Sequence, residues 1–283
     1  MKARKAVFSG SWYPSGADEC EKEIKQFLAD KSMHACLKKD IKGGIVPHAG
    51  WYFSGSIACN VINCLTKEEP PDVIFIFGMH LHADSSPYIM LEGSWETPFG
   101  ELPIAGGVAS DLADQFNFMI ETTTDFTQDN TIELQLPFVK YLFDDVKIVP
   151  VGVPPSDLSI KIGRYAAKIA EKHGVTAKVI GSTDLTHYGS NYGFSPKGLG
   201  SQAHEWVRTE NDRSIIDAML RMDAEEVLEQ AENKRNACCA GAAAAAISAA
   251  KSLGSQGAES VAYTTSYEKS PGESFVGYAG VVF

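Results

Sequence analysis

Two kinds of hydrophobic pattern alternate along the chain. Short runs of consecutive apolar residues, which are typical of strands buried on both faces of a sheet, occur at Ile45–Val46, Val73–Phe77, Val146–Val151 and Lys178–Ser182. Between them apolar residues recur every three or four positions, as along amphipathic helices; the clearest cases are Ala17–Leu28, Ser54–Leu65 and Ser156–Lys172. This alternation predicts an α/β fold with a central, mostly parallel sheet flanked by helices.

Other segments have less regular patterns. Trp95–Pro103 is predicted to be a loop, and Thr131–Leu142 is predicted to be one helix that tolerates Pro137 or is kinked by it. Ser260–Tyr267 and Phe275–Phe283 alternate in polarity and are expected to pair as an antiparallel edge of the sheet. The length allows one or two domains, and a single domain spanning residues 1–283 is favoured.

The composition limits the expected partners and compartment. The 283 residues include 25 basic and 36 acidic side chains, for a formal net charge of −11, and the basic residues are dispersed. Nucleic acid and anionic membranes are therefore not expected as partners. No apolar run approaches the roughly 18 residues of a spanning helix. The six cysteines lack the spacing of a disulfide-rich domain or a paired zinc motif, so a reducing, cytoplasmic location is the simpler expectation.

Histidines follow three of the predicted strands. His48 follows the first strand, His80 and His82 the second, and His187 the last. Ligands of open α/β sheets bind beyond the carboxyl ends of the strands, and imidazole is both a metal ligand and a proton carrier near neutral pH. These positions predict one shared site, although each histidine alone could simply brace a turn. In an extended segment, His80 and His82 would face the same side.

Carboxylates and thiols could complete such a site. Asp184 lies three residues before His187, close enough to orient its ring or to share a proton transfer, but it could equally cap a helix. Cys238 and Cys239 precede an alanine-rich helix, whose N-terminus favours thiolate, although free cysteines more often pack in cores. Glu133 is a weaker candidate for an iron site, because most acidic residues on helices are solvated.

Several motifs together resemble those of the Memo (mediator of cell motility) family, a relative in fold of the LigB-type class III extradiol dioxygenases. The motifs are, in order, SGSWYP at Ser9, PHAGWYFSG at Pro47, WETPFG at Trp95, TIELQLPF at Thr131, VKIVPV at Val146, STDLTHYG at Ser182, CCAG at Cys238 and FVGYAG at Phe275. Each is weak alone, but the combination is specific and spans nearly the whole chain. The resemblance implies a single α/β domain with a metal site.

The resemblance also implies the residues of that site. The metal ligands would be His48, either His80 or His82, and Cys238, with Asp184 and His187 lining the pocket. The sequence departs from the family at three positions. After the second strand the family usually has GxxH, whereas here Leu81 stands three residues after Gly78 and His80 and His82 flank it. Cys239 stands where the family usually has glycine, so Cys239 could be the ligand instead of Cys238. Asn130 stands where the family often has histidine, which predicts a difference in substrate handling.

The leading hypothesis is a dioxygenase-like, metal-dependent oxidoreductase that acts on an unknown small organic substrate. It would use iron or copper, with zinc as an alternative; His187 would be the acid/base, oriented by Asp184. The competing hypothesis is a non-catalytic module that binds a small-molecule or peptide ligand in the same pocket. A third and less favoured hypothesis is hydrolysis by a Cys238 nucleophile assisted by His187.

Overall fold

The computed structural model describes residues 2–30, 33, 36, 40–67 and 69–283, and these residues form twelve strands and ten α-helices. The strands are β1 (Ala3–Arg4), β2 (Gly43–Val46), β3 (Val73–Gly78), β4 (Tyr88–Met90), β5 (Ser94–Thr97), β6 (Gly100–Pro103), β7 (Met119–Glu121), β8 (Lys147–Gly152), β9 (Ala177–Ser182), β10 (His187–Tyr188), β11 (Glu259–Thr265) and β12 (Phe275–Val282). The helices are α1 (Ala17–Leu28), α2 (Trp51–Cys64), α3 (Gly106–Ala113), α4 (Asn130–Glu133), α5 (Leu136–Leu142), α6 (Asp157–His173), α7 (Ser201–Trp206), α8 (Asp212–Leu220), α9 (Ala224–Lys234) and α10 (Ala240–Ser252).

The larger sheet has nine strands among the described residues. Its order is β10-β12-β2-β9-β3-β8-β4-β7, and β11 pairs with β12. The central neighbours β2, β9, β3 and β8 are parallel, whereas β12 runs antiparallel to β2 and β4 antiparallel to β8. Strands β2, β3 and β9 are buried along their whole lengths, as their continuous apolar runs indicate. The predicted α/β fold is confirmed: the four central strands are parallel, and the antiparallel strands at both sides make the sheet mixed.

Glycines let helices lie close against both faces of this sheet. A Cβ added to Gly181 of β9 would lie 2.6 Å from the carbonyl oxygen of Ala242 in α10. A Cβ added to Gly44 of β2 would lie 2.5 Å from the Val61 side chain of α2. Because Gly181 pairs with Ile45, the residue next to Gly44, and side chains alternate between faces along a strand, α10 and α2 cover opposite faces.

The alanine-rich helix α10 is buried throughout most of its length. Its small side chains allow backbone-to-backbone contact, since Gly163 of α6 packs directly against Ala245. Among the described residues, no helix has both the length and the apolar character needed to cross a bilayer.

The predicted loop at Trp95–Pro103 was wrong. Strands β5 and β6 form a hairpin there, and β1 pairs with β5. Trp95 and Leu102 are cross-strand partners and are almost completely buried. The turn-forming residues between the strands obscured this period-two pattern.

Two further elements differ from their predictions. The predicted single helix at Thr131–Leu142 is in fact two helices, α4 and α5. Pro137 lies in the first turn of α5, where its missing N–H costs no hydrogen bond. The closing strands β11 and β12 pair antiparallel as predicted, but β12 lies inside the sheet because it also pairs with β2 and β10.

Candidate metal centre

His48 lies in the turn between β2 and α2, and its ring orientation is fixed. Its backbone N–H donates to Oδ1 of Asp184 (2.7 Å), and its carbonyl oxygen accepts from Asn130 (2.8 Å). Nδ1 lies 3.0 Å from Oγ of Ser182, whose hydroxyl proton is already donated to the carbonyl of Thr131. The neutral imidazole therefore donates through Nδ1 and presents the lone pair of Nε2 to the site.

His80 follows β3 and is held by one carboxylate. Oδ2 of Asp129 accepts both the backbone N–H of His80 (3.0 Å) and a hydrogen bond with its Nδ1 (2.9 Å). The other face of the ring meets His48 edge-on, with the ring centroids 5.0 Å apart. A carboxylate on one ring nitrogen fixes the tautomer and increases the basicity of the other nitrogen, as in histidines that bind metals.

His82 lies outside this arrangement. Met79 has a positive φ of 73°, so the chain turns immediately after β3 and the segment is not extended. His82 is exposed, and its backbone N–H donates to Oγ of Ser85. The expectation that His80 and His82 face the same side was therefore wrong, and only His80 points towards His48.

Cys238 and Cys239 reach the site from the segment that precedes α10. Cys238 Sγ lies 3.2 Å from Nε2 of His48 and accepts the backbone N–H of Asp184 at 3.3 Å. The backbone N–H of Cys238 donates to the carbonyl of Asp184, and that of Cys239 donates to Oγ1 of Thr183. The Thr183–Asp184 turn after β9 therefore positions both cysteines beside His48.

Four donor groups converge as a result. One ligand atom each from His48, His80, Cys238 and Cys239 lies within 4.8 Å of every other, which makes this a group that could hold a metal ion. Imidazole nitrogen together with cysteine sulfur suits iron, copper or zinc, whereas magnesium and calcium prefer oxygen ligands. The donor chemistry therefore fits the metals expected from the sequence.

Electrostatics favour a thiolate held between imidazoles. Burial would raise the pKa of Cys238, but hydrogen bonds with Cys239, His48 and His80 lower it well below the usual value. Burial also opposes the imidazolium form of His48, but the charges of Asp184 and Cys238 outweigh it and raise its pKa. His80 behaves similarly, because hydrogen bonds to Asp129 and Cys238 overcome burial and raise its pKa to about 10. A bound metal ion would therefore replace protons on the imidazoles.

Cys239 differs from its neighbour. Burial and the adjacent Cys238 sulfur raise the pKa of the Cys239 thiol well above the usual value. The side chain is only 3% exposed. Before any metal binds, the pair therefore consists of a Cys238 thiolate and a protonated Cys239 thiol that donates to it.

Asp184 lies beside His48, whereas His187 is not among the four convergent residues, and the two do not form the expected pair. Asp184 faces His48, with Oδ2 3.9 Å from Nε2, and burial raises its pKa against the opposing charge of His48. His187 Nδ1 lies 3.1 Å from the carbonyl of Leu185, and its ring meets Tyr192 edge-on. Within the described part of the chain, Asp184 and His187 share no hydrogen bond. The structure contradicts the prediction that Asp184 orients His187: Asp184 orients the His48 turn instead.

Glu133 has a structural role. Its carboxylate accepts the backbone N–H groups of Val7 (3.0 Å) and Phe8 (2.7 Å) and the hydroxyl of Tyr13 (3.1 Å). These contacts fasten the amino-terminal segment to α4, and Glu133 is not among the four convergent residues. Its acceptor oxygens are occupied by the chain itself.

Two carboxylates of this region, Asp129 and Asp212, were not predicted from the sequence as functional residues. Asp129, the N-cap of α4, binds His80. Asp212 is completely buried, accepts the backbone N–H and hydroxyl of Thr186 and the hydroxyl of Tyr263, and has a pKa that burial raises to about 7. Asp212 follows a π-helical turn at Val207–Asn211, a feature that is frequent near functional sites, but no spacing in the sequence linked it to Thr186.

Two cavities reach the four-residue cluster. A cavity of about 430 Å³ opens beside His80 and Asp184; its other lining residues include Trp12, Asn130, Tyr52, Phe53, Tyr192 and Tyr278. A second cavity of about 710 Å³ reaches Cys238 between α9 and the start of α6, and its lining includes Leu158, Leu228, Glu229 and Glu232. The cluster is thus accessible through an aromatic cavity on the His80 side and an acidic, partly apolar cavity on the Cys238 side.

Comparison with known proteins gives one consistent result. The profile of the family described as Memo-like protein matches residues 4–282. The MEMO1 family protein PAE0818 of Pyrobaculum aerophilum is 30% identical over 293 residues, which cover 100% of this chain and 99% of the relative. The MEMO1 family protein of Methanococcoides burtonii is 30% identical over 283 residues, with 99% of each chain covered.

A solved structure shares the fold. The uncharacterized protein JW3007 of Escherichia coli K12 superposes with a TM-score of 0.52, over 86% of this chain and 99% of that chain. Its sequence identity is 9%, so the likeness concerns the fold alone.

Proposed function

This chain belongs to the Memo-like protein family, and from that membership and the convergence of His48, His80 and Cys238 we propose that it is a metal-dependent oxidoreductase. The proposed metal is iron or copper, with zinc as a redox-inert alternative. The proposed substrate is a small organic molecule. The observation that carries the proposal is the contact of 3.2 Å between Cys238 Sγ and His48 Nε2, with the His80 ring beside them.

The donor set supports a redox metal more than a purely structural one. A bound iron or copper ion would supply redox chemistry and Lewis acidity at this position. Structural zinc sites are usually closed on all sides by protein, whereas here the His80 side chain remains 44% exposed and faces an open cavity. A ligand in the aromatic cavity would therefore lie directly beside the cluster.

The cavity favours a flat, weakly charged substrate. Trp12, Tyr52 and Tyr192 offer exposed aromatic rings, which stack on planar organic groups. Asn130 supplies a polar group at the wall, where the Memo family often has histidine. None of the described lining residues is a lysine or arginine, so the cavity wall offers no cationic side chain to a strongly anionic substrate.

His187 is the proposed acid/base. Its Nδ1 lies beside the Leu185 carbonyl, which leaves Nε2 without a hydrogen-bond partner among the described residues. The His187 ring packs on Tyr192, a residue of the cavity wall. Proton transfer would therefore take place at Nε2 of His187, while Asp184 keeps the His48 turn in position.

The second candidate is a module that binds a small molecule or peptide without turnover. It is favoured by the exposed aromatic residues of the cavity, which could hold a ligand whether or not a metal is present. Under this alternative, the metal would be structural or absent. His187→Ala would then leave ligand binding unchanged.

The discriminating experiment measures dioxygen consumption by iron- and copper-loaded protein with a panel of catechols and related phenols. We expect turnover by the parent and its loss in His187→Ala with the metal retained. His173→Ala, which removes a histidine that contacts Asp111 at a remote surface, is the matched control and should keep full activity. Metal-loaded parent that binds these compounds without consuming dioxygen would favour the binding module.

A further inference from the structure

The sulfur atoms of Cys238 and Cys239 lie on the same side of the chain. Adjacent residues of an extended segment point in opposite directions, but the backbone bends at Cys238, and Cys239 is the N-cap residue of α10. Both sulfurs consequently belong to the same convergent group, no more than 4.8 Å apart.

The two thiols differ in access to solvent. Cys238 lines the cavity of about 710 Å³ that opens between α6 and α9. Cys239 is 3% exposed and lies behind it. An oxidant that enters this cavity therefore meets Cys238 first, and the Cys239 sulfur lies within 4.8 Å of the Cys238 sulfur. This is the arrangement of an attacking cysteine with its resolving partner.

We propose that Cys238 and Cys239 are a redox-active pair, which a hydroperoxide such as hydrogen peroxide converts into a vicinal disulfide that disables the metal centre. The formation of the disulfide is independent of the function proposed above. Only its effect on metal binding rests on that function. The family usually has glycine at the position of Cys239, so a relative with that glycine lacks the second cysteine of the pair.

The chemistry proceeds in two steps. In the first, the Cys238 thiolate attacks one oxygen of hydrogen peroxide, an S–O bond forms, the O–O bond breaks, and the leaving hydroxide takes a proton to become water. Cys238 is thereby oxidised to a sulfenic acid and the peroxide is reduced. In the second, the Cys239 sulfur attacks the Cys238 sulfur. The S–S bond forms, the S–O bond breaks, and the hydroxyl group leaves with the Cys239 proton as a second water.

The disulfide would remove the thiolate that the centre requires. A disulfide sulfur carries no negative charge and is a far weaker metal ligand than a thiolate. Only His48 and His80 would then remain as donors among the four residues. A thiol reductant would restore Cys238 and with it the metal site.

A second sulfur pair provides an internal comparison. Cys36 and Cys64 are also joined by a side-chain hydrogen bond, and burial raises the pKa of the Cys64 thiol. Both are buried, and neither belongs to the metal-competent group found among the described residues. Because Cys36 and Cys64 are both buried whereas Cys238 is only half-buried, peroxide should oxidise this pair far more slowly.

The test follows one tryptic peptide of the full-length, metal-free protein. Asn236–Lys251 contains Cys238 and Cys239 and no other cysteine. After mild hydrogen peroxide and alkylation under denaturing conditions, we expect this peptide to lose two hydrogens, to escape alkylation, and to recover both thiols with dithiothreitol. A peptide in which both thiols are still alkylated, or in which Cys238 is a sulfinic acid while Cys239 remains free, would overturn the proposal.

Two variants establish the role of the second sulfur. Cys239→Ser should stop Cys238 at the sulfenic acid, detected by dimedone, or let it proceed to irreversible oxidation. Cys59→Ser, which replaces a buried cysteine of α2, should form the disulfide as readily as the parent. A dithiothreitol-reversible disulfide at Cys238 in Cys239→Ser would contradict a resolving role.

The effect on the metal is measured with Zn²⁺, which is redox-inert. We expect reduced protein to bind one ion and peroxide-treated protein to bind none, with binding restored after reduction and removal of the reductant. Equal binding by both forms would refute the effect on the metal centre. If reduced protein binds no Zn²⁺, iron or copper, the proposed function and this effect fail together, whereas the peptide measurement still decides whether the disulfide forms.

Discussion

Cys59 and Cys238 show how different surroundings change the chemistry of one residue type. Cys59 lies in α2 and is completely buried, and burial raises its pKa to about 12. Cys238 is also enclosed by protein, but hydrogen bonds with Cys239, His48 and His80 outweigh burial and lower its pKa. Burial alone therefore yields an inert thiol, whereas burial beside imidazoles yields a thiolate.

The difference arises from the position of each cysteine relative to the sheet. Cys59 lies in the middle of a helix, within the hydrophobic core. Cys238 lies where the turns after β2, β3 and β9 meet, and these turns bring His48, His80 and Asp184 together. The carboxyl ends of parallel strands thus gather polar groups that are far apart in sequence.

The largest expected effect is the loss of metal affinity when Cys238 is replaced, and replacement of Cys59 is its control. Cys238→Ser should reduce affinity for iron, copper and zinc by more than about 100-fold, because losing a ligand should exceed the 10–100-fold cost typical of outer-shell changes. Cys59→Ser should leave metal affinity unchanged. Competition titration against a chromophoric chelator measures both. Equal affinities in the two variants would mean that Cys238 is an ordinary buried thiol.

The pH dependence of metal binding tests the imidazole neighbours. The pKa values of His48 and His80 are raised, that of His80 to about 10, so the His80 ring holds a proton at neutral pH that a metal must displace. Affinity should therefore rise with pH, by about ten-fold per unit for each displaced proton, and keep rising above pH 8. A titration from pH 6.5 to 8.5 that levels off near pH 7 would indicate histidines with ordinary pKa values near 6.5.

A milder change alters the support of His80. Asp129→Asn removes the charge that fixes Nδ1 while keeping the size of the side chain. We expect roughly 10-fold weaker metal binding and a lower pKa for His80, which NMR titration of the metal-free protein would report. Asp125→Asn, at an exposed position of the preceding loop, is the matched control. Identical behaviour of the two variants would remove Asp129 from the site.

The smallest effect is expected where the buried Glu133 carboxylate holds the amino-terminal segment against α4, because Glu133 is not among the four convergent residues. Tyr13→Phe removes the hydroxyl that donates to Glu133 at 3.1 Å and should lower the free energy of unfolding by about 1 kcal/mol. Two backbone N–H groups still satisfy Glu133. Chemical denaturation measures the loss, and metal affinity should match the parent. A large loss of metal affinity would show that Glu133 is coupled to the centre.

The sequence predicted the site best where local rules apply. A histidine directly after a continuous apolar run must lie near the carboxyl edge of the sheet, which correctly brought His48 and His80 together. The same rule failed for His82, because the chain turns at Met79, which has a positive φ. A left-handed conformation is uncommon for methionine, and nothing in the local sequence indicated it.

Long-range contacts could not be predicted in this way. Asp212 and Thr186 are 26 positions apart, and Asp129 and His80 are 49 apart. Each contact depends on how separate turns pack at the end of the sheet. The family resemblance indicated Cys238 as a ligand, but the bend that turns Cys239 towards the same group became visible only in three dimensions.

We propose that His80, and not its neighbour two residues later, completes a metal centre with His48 and Cys238. The most direct measurement is elemental analysis of anaerobically purified parent, His80→Ala and His82→Ala proteins, with folding checked by circular dichroism. We predict near-stoichiometric iron or copper in the parent and in His82→Ala, and little in His80→Ala. Metal retained by His80→Ala but lost from His82→Ala, or absent from the parent even after reconstitution, would contradict the account.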